Sequence, residues 1–188
     1  MNTQTVTVVA AIIAAFASVY TMCVNLFAQY YAEMRVAYRK TLEPHLGPLG
    51  KSLYETMACS KMLAEKNEET GASRANWKAR ADTARDTLKA QRLDLRYSLW
   101  GLDEPIRVIT RVPNWIEHNK GKAENTKTII LLATDLRKAI DESIRKAYTY
   151  GRPLPWWERR SLAKKAKALR ESYRNGAPPG FYDEENGG

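Results

Sequence analysis

The first 32 residues of this chain contain no charged side chain, and within them Val6 to Ala28 is a 23-residue apolar run broken only by Thr7, Ser18, Thr21 and Asn25. As a helix rising about 1.5 Å per residue, that run is roughly 34 Å long, slightly more than the roughly 30 Å hydrocarbon core of a bilayer. A helix buried in a globular core is usually shorter and carries charge on one face. The run therefore predicts one transmembrane anchor. A cleaved signal peptide is the competing reading, since Ala15-Phe16-Ala17 before Ser18 has the small-residue pattern of a cleavage site. Against cleavage, Met1 to Thr5 lacks Lys and Arg, and apolar sequence continues for about ten residues past the cut.

The flanks predict orientation. Arg35, Arg39 and Lys40 follow the run closely while no Lys or Arg precedes it, and an excess of these residues marks the cytoplasmic side. The chain is expected to be single-pass, with its N-terminus outside and its C-terminal domain in the cytoplasm. Tyr30, Tyr31 and Tyr38, with Arg35, Arg39 and Lys40, are the expected membrane-interface anchors, because a phenol ring suits acyl chains and its hydroxyl suits water. Inside the run, Ala10, Ala14 and Ser18 recur at four-residue spacing, as do Ala11 and Ala15. Small residues so spaced let two helices approach in lipid, which allows a homodimer.

Subtracting the anchor leaves a length that suits one domain with its own core. Its Lys and Arg outnumber Asp and Glu by 30 to 21, a formal charge of +9, so its expected neighbours are polyanions such as lipid head groups, nucleic acid or acidic proteins. Only Cys23 and Cys59 are present, which excludes a disulfide scaffold, and a bridge between a residue inside the bilayer and one outside it is geometrically disfavoured.

Hydrophobic periodicity predicts an all-α fold: one N-terminal transmembrane helix followed by a soluble bundle of about four to five helices. The expected segments are a polar N-terminus at 1–5, the anchor at 6–28, a helical stalk at 29–43, the basic cytoplasmic domain at 44–175 and an acidic, disordered tail at 176–188. Pro44, Gly47, Pro48 and Gly50 are expected to end the stalk. A helix from Pro48 to about Glu68 then carries Leu49, Leu53, Met57 and Ala64, stopping at Thr70-Gly71. The next, Ser73 to Trp100, carries Trp77, Ala81, Ala84, Leu88, Leu95 and Leu99, stops at Gly101, and presents a mixed-charge face including Arg74 that is expected to be solvated. Asp103 is read as an N-cap before Glu104-Pro105. Ile106 to Val112 is β-branched but lacks a second strand to pair with, so no sheet is expected. Pro113 is read as a break, with Trp115 and Ile116 on the core. Asn125 to Tyr148, with Ile129, Leu132, Ala133, Leu136, Ile140 and Ala147, is the expected centre of the bundle.

After the rigid Gly151-Arg152-Pro153-Leu154-Pro155 turn, a helix from Trp156 to Arg174 carries Leu162, Ala166, Leu169 and Tyr173 on one stripe. Between Arg152 and Arg174 there are eight basic residues against Glu158 and Glu171, a net of +6. A basic amphipathic helix opened by two tryptophans suits an anionic leaflet, and Trp156, Trp157, Arg159, Arg160, Lys164, Lys165, Lys167 and Arg170 are the expected lipid- or polyanion-binding residues. The same stripe also suits packing onto the bundle.

Catalytic spacings are missing. His45 and His118, the only histidines, form no metal-ligand pair and are expected in loops, and no phosphate loop, nucleophile elbow or dinucleotide fingerprint occurs. Neither an enzyme nor a cofactor is expected. Nucleic-acid binding meets the charge test alone, since no zinc-finger, RNA-binding or basic-zipper pattern is present. The reading is a membrane-anchored domain that acts by binding, as adaptor, regulator or sensor, with a protein partner that the residues do not identify. Its alternatives are a tethered nucleic-acid-binding domain or an exported helical protein.

Overall fold

A computed structural model describes residues 3–65, 72–94, 101–119 and 122–174, apart from the side chains of residues 3–5, 94 and 174. Six helices are present among the described residues, and no strand: α1 (Thr3–Glu65), α2 (Ala72–Asp94), α3 (Asp103–Thr110), α4 (Val112–His118), α5 (Ala123–Tyr150) and α6 (Trp156–Arg174). The all-α class and the rejection of a sheet at Ile106 to Val112 therefore hold.

The largest departure from expectation is α1, 63 residues long, which runs through Pro44 and Pro48 instead of ending there. Each proline removes one helical hydrogen bond, from the carbonyl four residues before it, at a usual cost of about 3 kcal/mol. Here both prolines are exposed, as is Lys40, so the freed carbonyls of Lys40 and Pro44 lie on the water side. The opposite face carries Leu42, Leu49, Leu53 and Leu63, all fully buried, with Tyr38 and Leu46 packed against the same core. That stripe keeps its three- and four-residue phase across the proline cluster, and its burial offsets the lost bonds. The core thus begins inside the expected stalk, at Tyr38.

Gly47 and Gly50 sit in this helix with open space where a Cβ would stand. Because helix-interior glycine costs roughly 0.5–1 kcal/mol relative to alanine, Gly47→Ala and Gly50→Ala are each expected to raise stability by about that amount, read as an upward shift in thermal unfolding.

The N-terminal part of α1, residues 6–34, is exposed throughout. It is long and apolar enough to cross a membrane, and its most apolar window is wholly unburied by the rest of the chain, so it is not a core helix of the domain. Thr21 and Ser18 donate their hydroxyls to the carbonyls of Ala17 and Ala14, at 2.8 and 2.9 Å. Those donors are satisfied within the helix, which lets them enter an apolar medium at low cost. Cys23 and Cys59 are both free, 36 residues apart on one helix and so about 54 Å apart.

The bundle is built by α2 to α6 folding around residues 38–65. Ala81 and Leu88 of α2 are fully buried, and the Arg80 guanidinium covers the Trp77 ring at 4.6 Å. Arg74 is not solvated as its charged face suggested. It is 6% exposed, donating to the Leu63 carbonyl at 3.2 Å and to Glu117 at 2.8 Å, and so joins α1, α2 and α4. The expected continuation of this helix through Leu95, Leu99 and Trp100, the Thr70-Gly71 stop and the 176–188 tail lie outside the described residues.

Asp103 is the first helical residue of α3 rather than its cap, which is Leu102. Its carboxylate lies 3.7 Å from Arg92 on α2. Pro113 opens α4 rather than breaking the chain, since its missing N–H has no helical partner in a first turn. Trp115 and Ile116 are buried as expected, and Trp115 packs against Tyr173 of α6. Both histidines are helical, contrary to expectation: His45 is in the middle of α1, and His118 ends α4 with Nδ1 2.8 Å from the Asn114 carbonyl.

Candidate membrane-interface surface

Three antiparallel registers fix how the bundle is mounted on α1. The start of α5 at Thr126 and Ile130 lies beside Ala64 and Glu65, its middle at Thr134 and Arg137 beside Met57 and Lys61, and its end at Tyr148 beside Arg39. Helix α5 therefore returns toward the apolar end of α1, and the α5–α6 corner sits where the domain meets that end.

The corner is locked by local chemistry. Gly151 adopts left-handed geometry (φ 60°), and its N–H and that of Arg152 bond the carbonyls of Tyr148 and Ala147 at 3.1 and 3.2 Å. This is the two-bond closure that glycine favours after a helix C-terminus. Arg39 supplies the rest, donating from Nε to the Tyr148 carbonyl at 3.0 Å and from Nη2 to the Thr149 carbonyl. A cation at the negative end of the α5 dipole is favourable for the same reason. A Cβ on Gly151 would stand 2.8 Å from the Arg35 Cβ and 2.9 Å from the Arg35 carbonyl oxygen, so two backbones meet here at glycine distance.

The expected interface anchors separate into two groups. Tyr30 and Tyr31 are exposed, their rings edge to face at 5.9 Å, and Arg35 and Lys40 are exposed as well. Tyr38 and Arg39 are half-buried against the domain. Burial pushes the Tyr38 phenol above its ordinary value.

Helix α6 also divides. Leu162, Ala166, Leu169 and Tyr173 are buried in the core, so the apolar stripe packs on the bundle and is not free to lie on lipid. Lys146 meets Glu158 at 3.4 Å and Asp135 meets Lys165 at 4.0 Å, making α6 antiparallel to α5. It therefore leads away from the corner, with Lys164 to Lys167 about 12 to 17 Å further along than Trp156. Lys165, Lys167 and Arg170 have carboxylate partners in Asp135, Glu171 and Glu104. Arg159 lays its stem against Gly101, whose φ is 94°.

Trp156 and Trp157 remain. They are 61% and 57% exposed and edge to face at 6.1 Å, and Trp157 shares a cleft with Tyr150, which is 56% exposed and has the Arg152 guanidinium 5.7 Å from its ring centre. Tyr150 escaped the sequence reading, and Arg152, counted there in the basic stretch, was not among the expected binding residues, because only the docking of Gly151 on Arg35 brings them beside α1.

Elsewhere, a cleft of about 650 Å³ opens at the far end of the bundle between α1 and α5, lined partly by Lys61, Glu65, Ile130 and Leu131. Among the described residues, no group of three or more His, Cys, Asp or Glu is placed to hold a metal ion. Comparison of the chain with protein-family models, curated proteins and solved structures finds no match in any of the three.

Proposed function

We propose that this is a single-pass membrane protein whose helical domain acts by binding at the membrane surface, as an adaptor, regulator or sensor rather than as a catalyst. One observation carries the reading: the free apolar segment and the core of the domain belong to a single uninterrupted helix, α1. A domain so mounted is held at a defined distance from the bilayer, which favours interactions at the surface over those in bulk solution. The excess of Arg35, Arg39 and Lys40 on the domain side supports a cytoplasmic domain with an outer N-terminus. Arg35 and Lys40 keep exposed side chains, while Arg39 is engaged with α5. The Ala10, Ala14 and Ser18 stripe, with Ala11 and Ala15, is uncovered, which leaves it open to pairing with a second anchor.

Topology tests this directly. A reporter active only in the cytoplasm, fused after Gly188, is expected to be active, with the full-length chain retained in membranes after alkaline carbonate extraction. An inactive reporter reverses the orientation. A mature chain shortened at Ala17 replaces the anchor with a signal peptide.

A further inference from the structure

We infer that the α5–α6 corner, with Arg35, Arg152, Trp156 and Trp157, is a docking surface for anionic phospholipid head groups, and that the lysine row of α6 is not. The inference rests on the single-pass reading above and deepens it by naming the ligand and its residues.

Height decides between the two halves of α6. Arg35 lies seven residues past Ala28, about 10 Å along the helix, while the head-group layer is roughly 5–8 Å thick on each side, so this level stands just above that layer and within reach of long side chains directed toward it. Gly151 touches the backbone of Arg35, so the corner shares that height. Tryptophan and tyrosine rings there reach the layer that such amphipathic side chains favour. The lysine row stands more than one Debye length further out, about 10 Å at 0.1 M salt, where the field of an anionic leaflet is largely screened.

Charge and shape agree with height. A cleft of about 240 Å³ opens at the corner, and Lys146, Tyr150, Arg152, Trp157 and Glu158 are among its lining residues. Lys146 holds Glu158 within it at 3.4 Å. Arg35 and Arg152 are exposed and have no ion-pair partner among the described residues. Arg152 and Trp157 share this cleft, and Arg35 lies against the neighbouring Gly151; such cations beside an exposed indole suit a phosphodiester with its acyl chains below, because the guanidinium fork matches phosphate geometry and the indole bridges apolar and wet layers.

The test uses the full-length chain reconstituted into phosphatidylcholine vesicles with and without phosphatidylserine, with bromine on the acyl chain close to the head group. Quenching of tryptophan emission reads contact. Stronger quenching in the anionic vesicles is expected, and W156F/W157F should abolish the difference. Arg35→Gln with Arg152→Gln, both at exposed positions and with the Arg35 Cβ retained, should lower the docked-to-free ratio by about tenfold or more, since each cation near such a surface contributes roughly fivefold. Lys164→Gln, Lys165→Gln and Lys167→Gln together should leave it within about twofold, as their distance implies. Equal quenching in both vesicles, an anionic excess that survives W156F/W157F, or a larger effect from the lysines than from the arginines overturns the assignment. Carbonate extraction separates the two failures: a chain washed off the vesicles fails as a membrane protein and takes the docking surface with it. A retained chain with unquenched corner tryptophans refutes the docking surface alone.

Discussion

Arg74→Ala is expected to destabilise the domain by about 3 kcal/mol, at the lower end of what removing one partner of a buried pair costs. The Arg74 side chain is 7% exposed and that of Glu117 22%, so water compensates part of the loss on the glutamate side. The substitution also leaves the Leu63 carbonyl without the donor that reaches it at 3.2 Å, adding a desolvated acceptor to the uncompensated carboxylate. Thermal unfolding followed by far-ultraviolet circular dichroism measures the effect. The double variant Arg74→Met, Glu117→Leu should recover at least about 1 kcal/mol of the single-variant loss, because the cost lies in the orphaned charge more than in the absent pair. A loss below about 1 kcal/mol in Arg74→Ala would show that the pair is solvated and does not join the three helices.

Gly151→Val should cost about as much by a different route. A β-branched residue in left-handed geometry is strained by roughly 1–2 kcal/mol, and a Cβ 2.8 Å from that of Arg35 forces a backbone shift of the kind that overpacking imposes at about 1–3 kcal/mol. Gly151→Asn distinguishes the two contributions. Asparagine tolerates the left-handed region, so if it too destabilises by more than about 1 kcal/mol, crowding against α1 is the larger effect. Hydrogen exchange gives the local readout: the Arg152 amide, bonded to the Ala147 carbonyl at 3.2 Å, should lose protection in both variants. A neutral Gly151→Asn would mean that the corner and α1 are less tightly joined than their geometry shows.

Residue patterns made the helices legible and the joints illegible. The stripe of Ile129, Ala133, Leu136, Ile140 and Ala147 announced α5, and its burial follows. Leu162, Ala166, Leu169 and Tyr173 likewise announced the packed face of α6. Pro44 and Pro48 misled because local propensity assigns a helix end to such a cluster, whereas the phase of Tyr38, Leu42, Leu46, Leu49 and Leu53 continues across it without a break. Reading that phase before the prolines would have predicted a single α1. Arg74 illustrates a second limit: on a face of alternating charges nothing local separates the one arginine that enters the core from those that stay in water. The candidate interface was half legible for the same reason. Trp156 and Trp157 stood out by composition, but the height of each α6 residue relative to the anchor depends on the antiparallel return of α5, a long-range fact fixed by Arg39, Arg35 and Gly151.

The continuity of α1 also bears on how the domain acquires its structure. Starting a helix is the costly step, with a nucleation constant of order 0.001, whereas each further residue adds at little or no cost. In a bilayer, residues 6–28 must be helical because their backbone groups find no water there. Leu42, Leu49, Leu53 and Leu63 then extend a helix already begun, and α2 to α6 collapse onto a preformed template. On the single-pass proposal, insertion of that segment would be the nucleating event for a core built on residues 38–65.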